Sequence, residues 1–153
     1  DLFESIHEIL QSHQFPTSQL YIEVTENAIM KNPHRSADIL ASFHDAGIMV
    51  SIDDFGTGYS SLAYLQKFPI SELKIDKSFI SDLTEDSANF SIVNATITMA
   101  HDLGILVVAE GVEDKAVLDL LNSMGCDRVQ GFLYAKAMSF NDMLEWLKSY
   151  KAI

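Results

Sequence analysis

The sequence predicts an α/β fold built on a parallel sheet. Three observations carry this: short, nearly all-apolar runs; amphipathic helical segments between them; and a strand-plus-helix interval of roughly 30 residues. Such strands are buried on both faces, which requires helices to cover the sheet.

The chain opens on Leu2, Phe3, Ile6, Ile9 and Leu10 at helical spacing, and Pro16 lies just beyond as a stop. Leu20 to Thr25 is a β-prone run, followed by a helical segment from about Arg35 to Asp45 that ends at Gly47, suited to a left-handed cap. The unit then recurs. Strands are expected near Ile48–Ile52, Leu73–Ile75, Ile105–Ala109 and Arg128–Phe132, with helices at about Ser60–Gln66, Ser87–Leu103, Lys115–Met124 and Asn141–Tyr150. His101 and Gly104 close the long helix, and Ser139 to Asp142 reads as an N-cap with an acidic first turn. A closed (β/α)8 barrel takes ~250 residues, so about five units leave the ring open, to be completed by upstream sequence or by another chain. Asp1 falls inside a helix and is not Met, which reads as truncation upstream. On pattern alone, a doubly wound sheet also fits.

At 153 residues and 48% hydrophobic, the chain can bury a core as one unit. Its formal charge of −12 argues against duplex nucleic acid or an anionic membrane surface as partner. Cys126 is the only cysteine, so no internal disulfide and no zinc or iron-sulfur site is expected, and a reducing cytoplasm is the simplest compartment. The apolar runs fall short of the ~18 residues of a membrane span. The five histidines (His7, His13, His34, His44, His101) lack ligand spacing and read as surface or helix-end residues; Trp146 with Leu144 and Leu147 reads as helix packing, and the methionines as core filler.

The acidic residues follow the strands. Glu23 and Glu26, Asp53 and Asp54, Asp76, and Glu110 followed by Glu113 sit at the C-terminal ends of four runs, and the fifth ends near Gln130. Parallel strands aim their following loops at one face, so these groups should converge there. Crowded carboxylates need a counter-charge, and an all-oxygen set suits Mg2+, Mn2+ or Ca2+. Asp53 and Asp54 would point to opposite faces unless the strand is ending, where both can reach one site. Lys74 and Asp76 share a face by period two, which sets a cation beside a carboxylate suited to orienting a water or phosphate oxygen, although a strand-end salt bridge explains Lys74 equally well. Gly56 and Gly58 could cradle phosphate, but a mobile loop is the better reading of two glycines.

With these residues in place, the sequence resembles the EAL family of cyclic-di-GMP phosphodiesterases. Within Tyr21-Ile22-Glu23-Val24-Thr25-Glu26, the run from Glu23 is similar to the family's Glu-Leu-Thr-Glu motif with Val for Leu, and Asp53-Asp54-Phe55-Gly56-Thr57-Gly58-Tyr59-Ser60-Ser61-Leu62 to its Asp-Asp-Phe-Gly-Thr-Gly loop. Lys74-Ile75-Asp76, Ala109-Glu110-Gly111-Val112-Glu113 and Gln130-Gly131-Phe132 follow in the family's order. The resemblance implies a (β/α)8 barrel, of which this chain is the C-terminal three fifths or so, counting a barrel as ~250 residues.

The resemblance further implies hydrolysis of cyclic-di-GMP to linear pGpG with two Mg2+ or Mn2+ ions. Glu23 and Asp53 would bind the first ion, Asp53 would bridge to the second, and Asp54 with Glu110 would complete the second site. Lys74 would hold the attacking water, Glu26 would anchor the Asp-Asp-Phe loop, and Asp76, Glu113 and Gln130 would support the site. The segment Phe55, Gly56, Thr57, Gly58, Tyr59 and the helix after it would pair two copies, with regulatory domains upstream. The Glu-Ala-Leu strand and a following strand bearing a metal-binding Asn are absent, which implies an incomplete first metal site and an inactive fragment. Ala137 stands where the family usually has Pro. A non-catalytic receptor or a dimerising signalling module are the alternatives, and the parent could be membrane-anchored upstream.

Overall fold

The computed structural model describes residues 2–58 and 62–150. Helix α1 (Leu2–Ser12) leads through a single 3-10 turn (Thr17–Gln19) into β1 (Tyr21–Thr25), α2 (Glu26–Met30) and α3 (Pro33–Asp45). Then follow β2 (Met49–Phe55), α4 (Leu62–Leu65), β3 (Glu72–Ile75), α5 (Lys77–Ile80), α6 (Ala88–Asp102), β4 (Leu106–Glu110), α7 (Lys115–Ser123), β5 (Arg128–Gln130) and α8 (Phe140–Ser149). Helices α3, α6, α7 and α8 start where a side chain meets an otherwise orphaned backbone N–H. Asn32 accepts from the Arg35 amide at 3.3 Å with Pro33 behind it, Ser87 from Phe90 at 3.2 Å, Asp114 from Val117 at 2.9 Å and Ser139 from Asp142 at 3.2 Å.

All four strand pairings are parallel and the order is β1-β2-β3-β4-β5. A doubly wound sheet reverses its order at a switch point; this one never does, so the barrel plan holds and the doubly wound alternative falls. The five strands do not close the barrel by themselves.

Alternation divides the sheet into two chemistries. Val50, Ile52, Leu73, Ile75, Val107 and Ala109, all nearly inaccessible, pack with Leu40, Phe43, Ile80, Val93, Ile97 and Leu121 from the helices. Helix α3 covers β2 and α6 covers β4. The opposite, concave face is polar: Tyr21 and Glu23, Ser51 and Asp53, Glu72 and Lys74, Arg128 and Gln130 lie there at every second position.

The sequence reading misplaces several features. Two short helices, α2 and α5, follow β1 and β3 directly; the turn-capping carboxylate of Asp76 starts the second. β2 runs on to Phe55 instead of stopping at Ile52, and β5 stops at Gln130. No methionine is fully buried, because β-branched residues and Leu fill the centre; Met30, Met99 and Met124 pack at its margin while Met138 and Met143 are exposed. Among the described residues helix α8 has no buried residue. Leu144 and Leu147 are exposed in this chain, and the ring of Trp146 lies 4.6 Å from that of Tyr150, tilted by 35°.

A tie at the N-terminal end of the sheet joins three elements. Asp127 Oδ2 accepts from the Val107 amide at 2.8 Å and meets His101 Nε2 at 2.8 Å, linking β4, α6 and the start of β5. Partial burial pushes this carboxyl up, but the His101 and backbone hydrogen bonds outweigh it and hold the group below its ordinary value. A depressed folded value means the stabilisation is present above the unfolded-state value and is lost as the pH falls below it. Asp127→Asn should accordingly cost about 1 kcal/mol at pH 7, with the gap to wild type closing in acid. Urea unfolding at pH 7 and in stepwise acid measures this; a gap that stays constant would rule out the charged carboxylate as the source.

Candidate active site and metal centre

The rim is organised by one buried ammonium. Lys74, inward on β3 and 4% exposed, places Nζ 2.7 Å from Glu110 Oε1, 3.1 Å from Glu23 Oε2 and 3.2 Å from Asp53 Oδ1. Three strands besides its own supply those carboxylates. Burial disfavours the charged lysine, but the hydrogen bonds it donates to Glu110, Glu23 and Asp53 outweigh that and raise its pKa well above the ordinary value. Burial also pushes Glu110 up; Lys74 pulls it back, while Asp53 and Glu23 repel its negative form.

A β-bulge delivers the second aspartate. Ile52 pairs with Leu73 and Phe55 with Ile75, so Asp53 and Asp54 together oppose the single residue Lys74. Asp54 takes a left-handed backbone (φ 56°), unusual for a residue other than Gly and strained unless its surroundings hold it. The strand therefore does not end at this pair, as the sequence reading supposed; it kinks. Asp53, Asp54 and Glu110 each offer an oxygen within 4.8 Å of the others. Glu23, half exposed, stands outside that triplet and joins the cluster through Lys74.

The supporting residues divide. Glu26 is fully buried at the start of α2, and its Oε2 accepts the Gly56 amide at 2.8 Å, which ties the loop after β2 to the end of β1. Its Oε1 has no hydrogen-bond partner among the described residues. The Gly56 N–H is thus already engaged and is not free to cradle phosphate. Gly56 has φ 98°, and a Cβ there would meet the Phe79 ring at 2.8 Å. Phe55 is buried, and Thr57 closes the turn by donating its hydroxyl to the Asp54 carbonyl at 2.9 Å. Gly58 lies against the Glu26 carboxylate. Tyr59, Ser60 and Ser61, which belong to the expected pairing segment, lie outside the described residues.

Asp76 does not sit beside Lys74 as period two suggested. β3 ends at Ile75, and Asp76 turns away to cap α5, accepting from the Ser78 hydroxyl and, at 2.9 Å, its amide. The Ser78 hydroxyl holds its carboxyl below the ordinary range despite partial burial. Asp76 still lines a cleft of about 350 Å³ with Asp54, Glu110, Glu113, Gln130 and Phe132. Gln130 and Glu113 expose their side chains there. The Gln130 carbonyl accepts the Val112 amide at 3.1 Å, and Gly131 follows because a Cβ would lie 2.0 Å from the Val112 carbonyl oxygen.

Sequence reasoning missed Lys77 and Phe132 as cleft residues, and Tyr21, Ser51, Glu72 and Arg128 as a group beneath the rim. Only the polar residues at alternate positions of Glu72-Leu73-Lys74-Ile75 hinted at the last.

Residues 1–137 match the family model for the EAL domain. The chain belongs to the EAL domain family. This EAL chain is 43% identical over 143 residues to the bifunctional diguanylate cyclase/cyclic di-GMP phosphodiesterase MucR of Pseudomonas aeruginosa, covering 94% of the chain and 21% of that protein. Its fold matches the MucR phosphodiesterase solved with c-di-GMP at a TM-score of 0.90 and 42% identity, over 93% of the chain and 63% of that structure. BlrP1 of Klebsiella pneumoniae, solved with manganese and cyclic-di-GMP, matches at a TM-score of 0.81 and 33% identity, over 87% of this EAL chain and 34% of that one. The chain spans about a fifth of the length of the curated relatives it matches.

The donor set fits a hard divalent cation. Three carboxylates pair with the Lys74 ammonium and Asp54 adds a fourth beside Asp53 and Glu110, a formal excess of three negative charges, and Asp53 Oδ1 has only the 3.2 Å ion pair to Lys74. Lys74→Met should destabilise the metal-free protein by about 1 to 3 kcal/mol, since it leaves partly buried carboxylates crowded together without their counter-charge, and Mn2+ should recover much of the loss. Urea midpoints in EDTA and in Mn2+ test this; equal midpoints for variant and wild type in EDTA would show that the carboxylates do not need the lysine.

Proposed function

We propose that this EAL chain forms the acidic rim of a metal-dependent phosphodiesterase that hydrolyses cyclic-di-GMP to linear pGpG. The observation that carries the reading is the convergence of Asp53, Asp54 and Glu110 within 4.8 Å at the ends of parallel strands, around a buried lysine. The names of its relatives support the substrate class.

Glu23 and Asp53 would hold one Mg2+ or Mn2+, and Asp53, Asp54 and Glu110 a second. When bound, such ions lower the pKa of water and neutralise charge on the attacking and leaving oxygens. The protein's own share is positional. Glu26 fixes the loop that carries Asp54 through the Gly56 amide, so the strained aspartate keeps its aim. Lys74, which pairs with three carboxylates, would turn one of its three N–H groups from them to the water that attacks phosphorus as the bond to the 3′ oxygen breaks. Lys77 places a second cation at the cleft, and the exposed ring of Phe132 offers a face for a guanine base.

No helix among the described residues is long and apolar enough to cross a membrane. A cytoplasmic setting suits the single thiol of Cys126, which burial pushes up to about 11 and so keeps unreactive. Pairing of two copies through the segment after Asp54 belongs to the same proposal, on family resemblance. In the intact protein with Mn2+, Asp53→Asn should lower cyclic-di-GMP cleavage by about 100-fold or more, followed as pGpG by chromatography. Cleavage that survives both EDTA and this substitution would refute the reading.

A further inference from the structure

One inward step beneath the rim lies a second polar layer. Tyr21 is two residues before Glu23, Ser51 two before Asp53, Glu72 two before Lys74 and Arg128 two before Gln130, so each stands below a rim residue on the same face of its strand. Glu72 is 5% exposed, a carboxylate that needs partners to remain charged. It has two. Arg128 Nη1 donates to its Oε2 at 2.7 Å, and the Ser51 hydroxyl donates to its Oε1 at 3.2 Å. The same guanidinium nitrogen reaches Tyr21 Oη at 3.1 Å, with the guanidinium carbon 5.7 Å from the ring centre.

These contacts join β1, β2, β3 and β5 at one level. β1 and β5 are opposite edges of the sheet and do not pair with each other. In a flat sheet four intervals of 4.8 Å would hold them about 19 Å apart, so the Arg128–Tyr21 contact exists because the sheet curls. Each rim carboxylate inherits its position from the curvature of the strand beneath it.

Building on the metal reading above, we propose that Arg128 and Glu72, with Tyr21 and Ser51, are positioning residues that fix this curvature and so set the spacing of Glu23, Asp53 and Lys74, and with it the affinity of the rim for divalent cations. They touch no reacting atom. Their influence passes through two residues of strand, as outer partners of metal ligands tune the ligands they hold.

The test titrates the intact protein with Mn2+, reading free ion by electron paramagnetic resonance, beside urea unfolding in EDTA. Replacing both charges together, Glu72→Met with Arg128→Met, avoids a stranded buried charge. This double variant should keep a cooperative unfolding midpoint near wild type yet bind Mn2+ about 10- to 100-fold more weakly. Arg128→Lys, which keeps the charge on a shorter side chain without the planar guanidinium, should fall between. Tyr21→Phe removes one hydroxyl and keeps the question answerable if the double variant does not fold; it should weaken Mn2+ binding several-fold. Wild-type Mn2+ affinity in the folded variants would overturn the proposal. Wild-type protein that binds Mn2+ but cleaves no cyclic-di-GMP would instead reject the phosphodiesterase reading, leaving the positioning result legible, and wild-type protein that binds no Mn2+ would overturn both.

Discussion

A lysine ammonium taken out of water is costly to hold, and in this molecule the ends of three other strands offset that cost. Lys74 draws Glu23, Asp53 and Glu110 to within 3.2 Å, and no one of these residues is a sequence neighbour of another. The contact is possible because parallel strands in sequential order present their C-terminal ends to one rim. It is needed because carboxylates brought so close repel one another. The same lysine that steadies the acidic cluster leaves it with excess negative charge, which is the electrostatic condition for holding divalent cations.

Around that centre the backbone departs from regularity in only a few places, each of which aims a side chain. The bulge in β2 sets two aspartates opposite one residue of β3, at the expense of a left-handed conformation at Asp54. Glu26, buried with one oxygen on the Gly56 amide, holds the turn immediately after the bulge. Gly131 lets the chain leaving β5 lie against Val112, so that Gln130 and the loop carrying Glu113 share the cleft. Strain and close approach gather at the rim, while the helix-covered face is filled by ordinary aliphatic packing. This division matches the general pattern that the C-terminal ends of barrel strands carry chemistry and the body of the sheet carries stability.

Most of the architecture was legible in the chain. Short runs of three to six residues, mostly apolar, gave away the strands, and Ser139 with its acidic first turn marked a helix start. Glu23, Asp53, Asp54 and Glu110 were legible as a group because each follows an apolar run, and recurrence over several strands is hard to produce by chance. Asp76 was misread for a local reason: its side chain found the Ser78 amide two residues ahead, which ended the strand before period two could apply. Helix α8 was legible as an amphipathic helix, but its pattern says which residues could be buried and not what covers them.

By itself the sequence determined the alternation of strand and helix, the acidic strand ends and the family motifs, since these depend on periodicity and on residue order. Tertiary structure decided that Lys74 faces three carboxylates and not Asp76, that both members of Asp53-Asp54 reach one site, and that Arg128 meets Tyr21 across 107 positions of chain. Those outcomes depend on register, on one extra residue in β2 and on the curl of the sheet. Each is a relation between strands, set by how they pack together, and no local pattern along one strand encodes it.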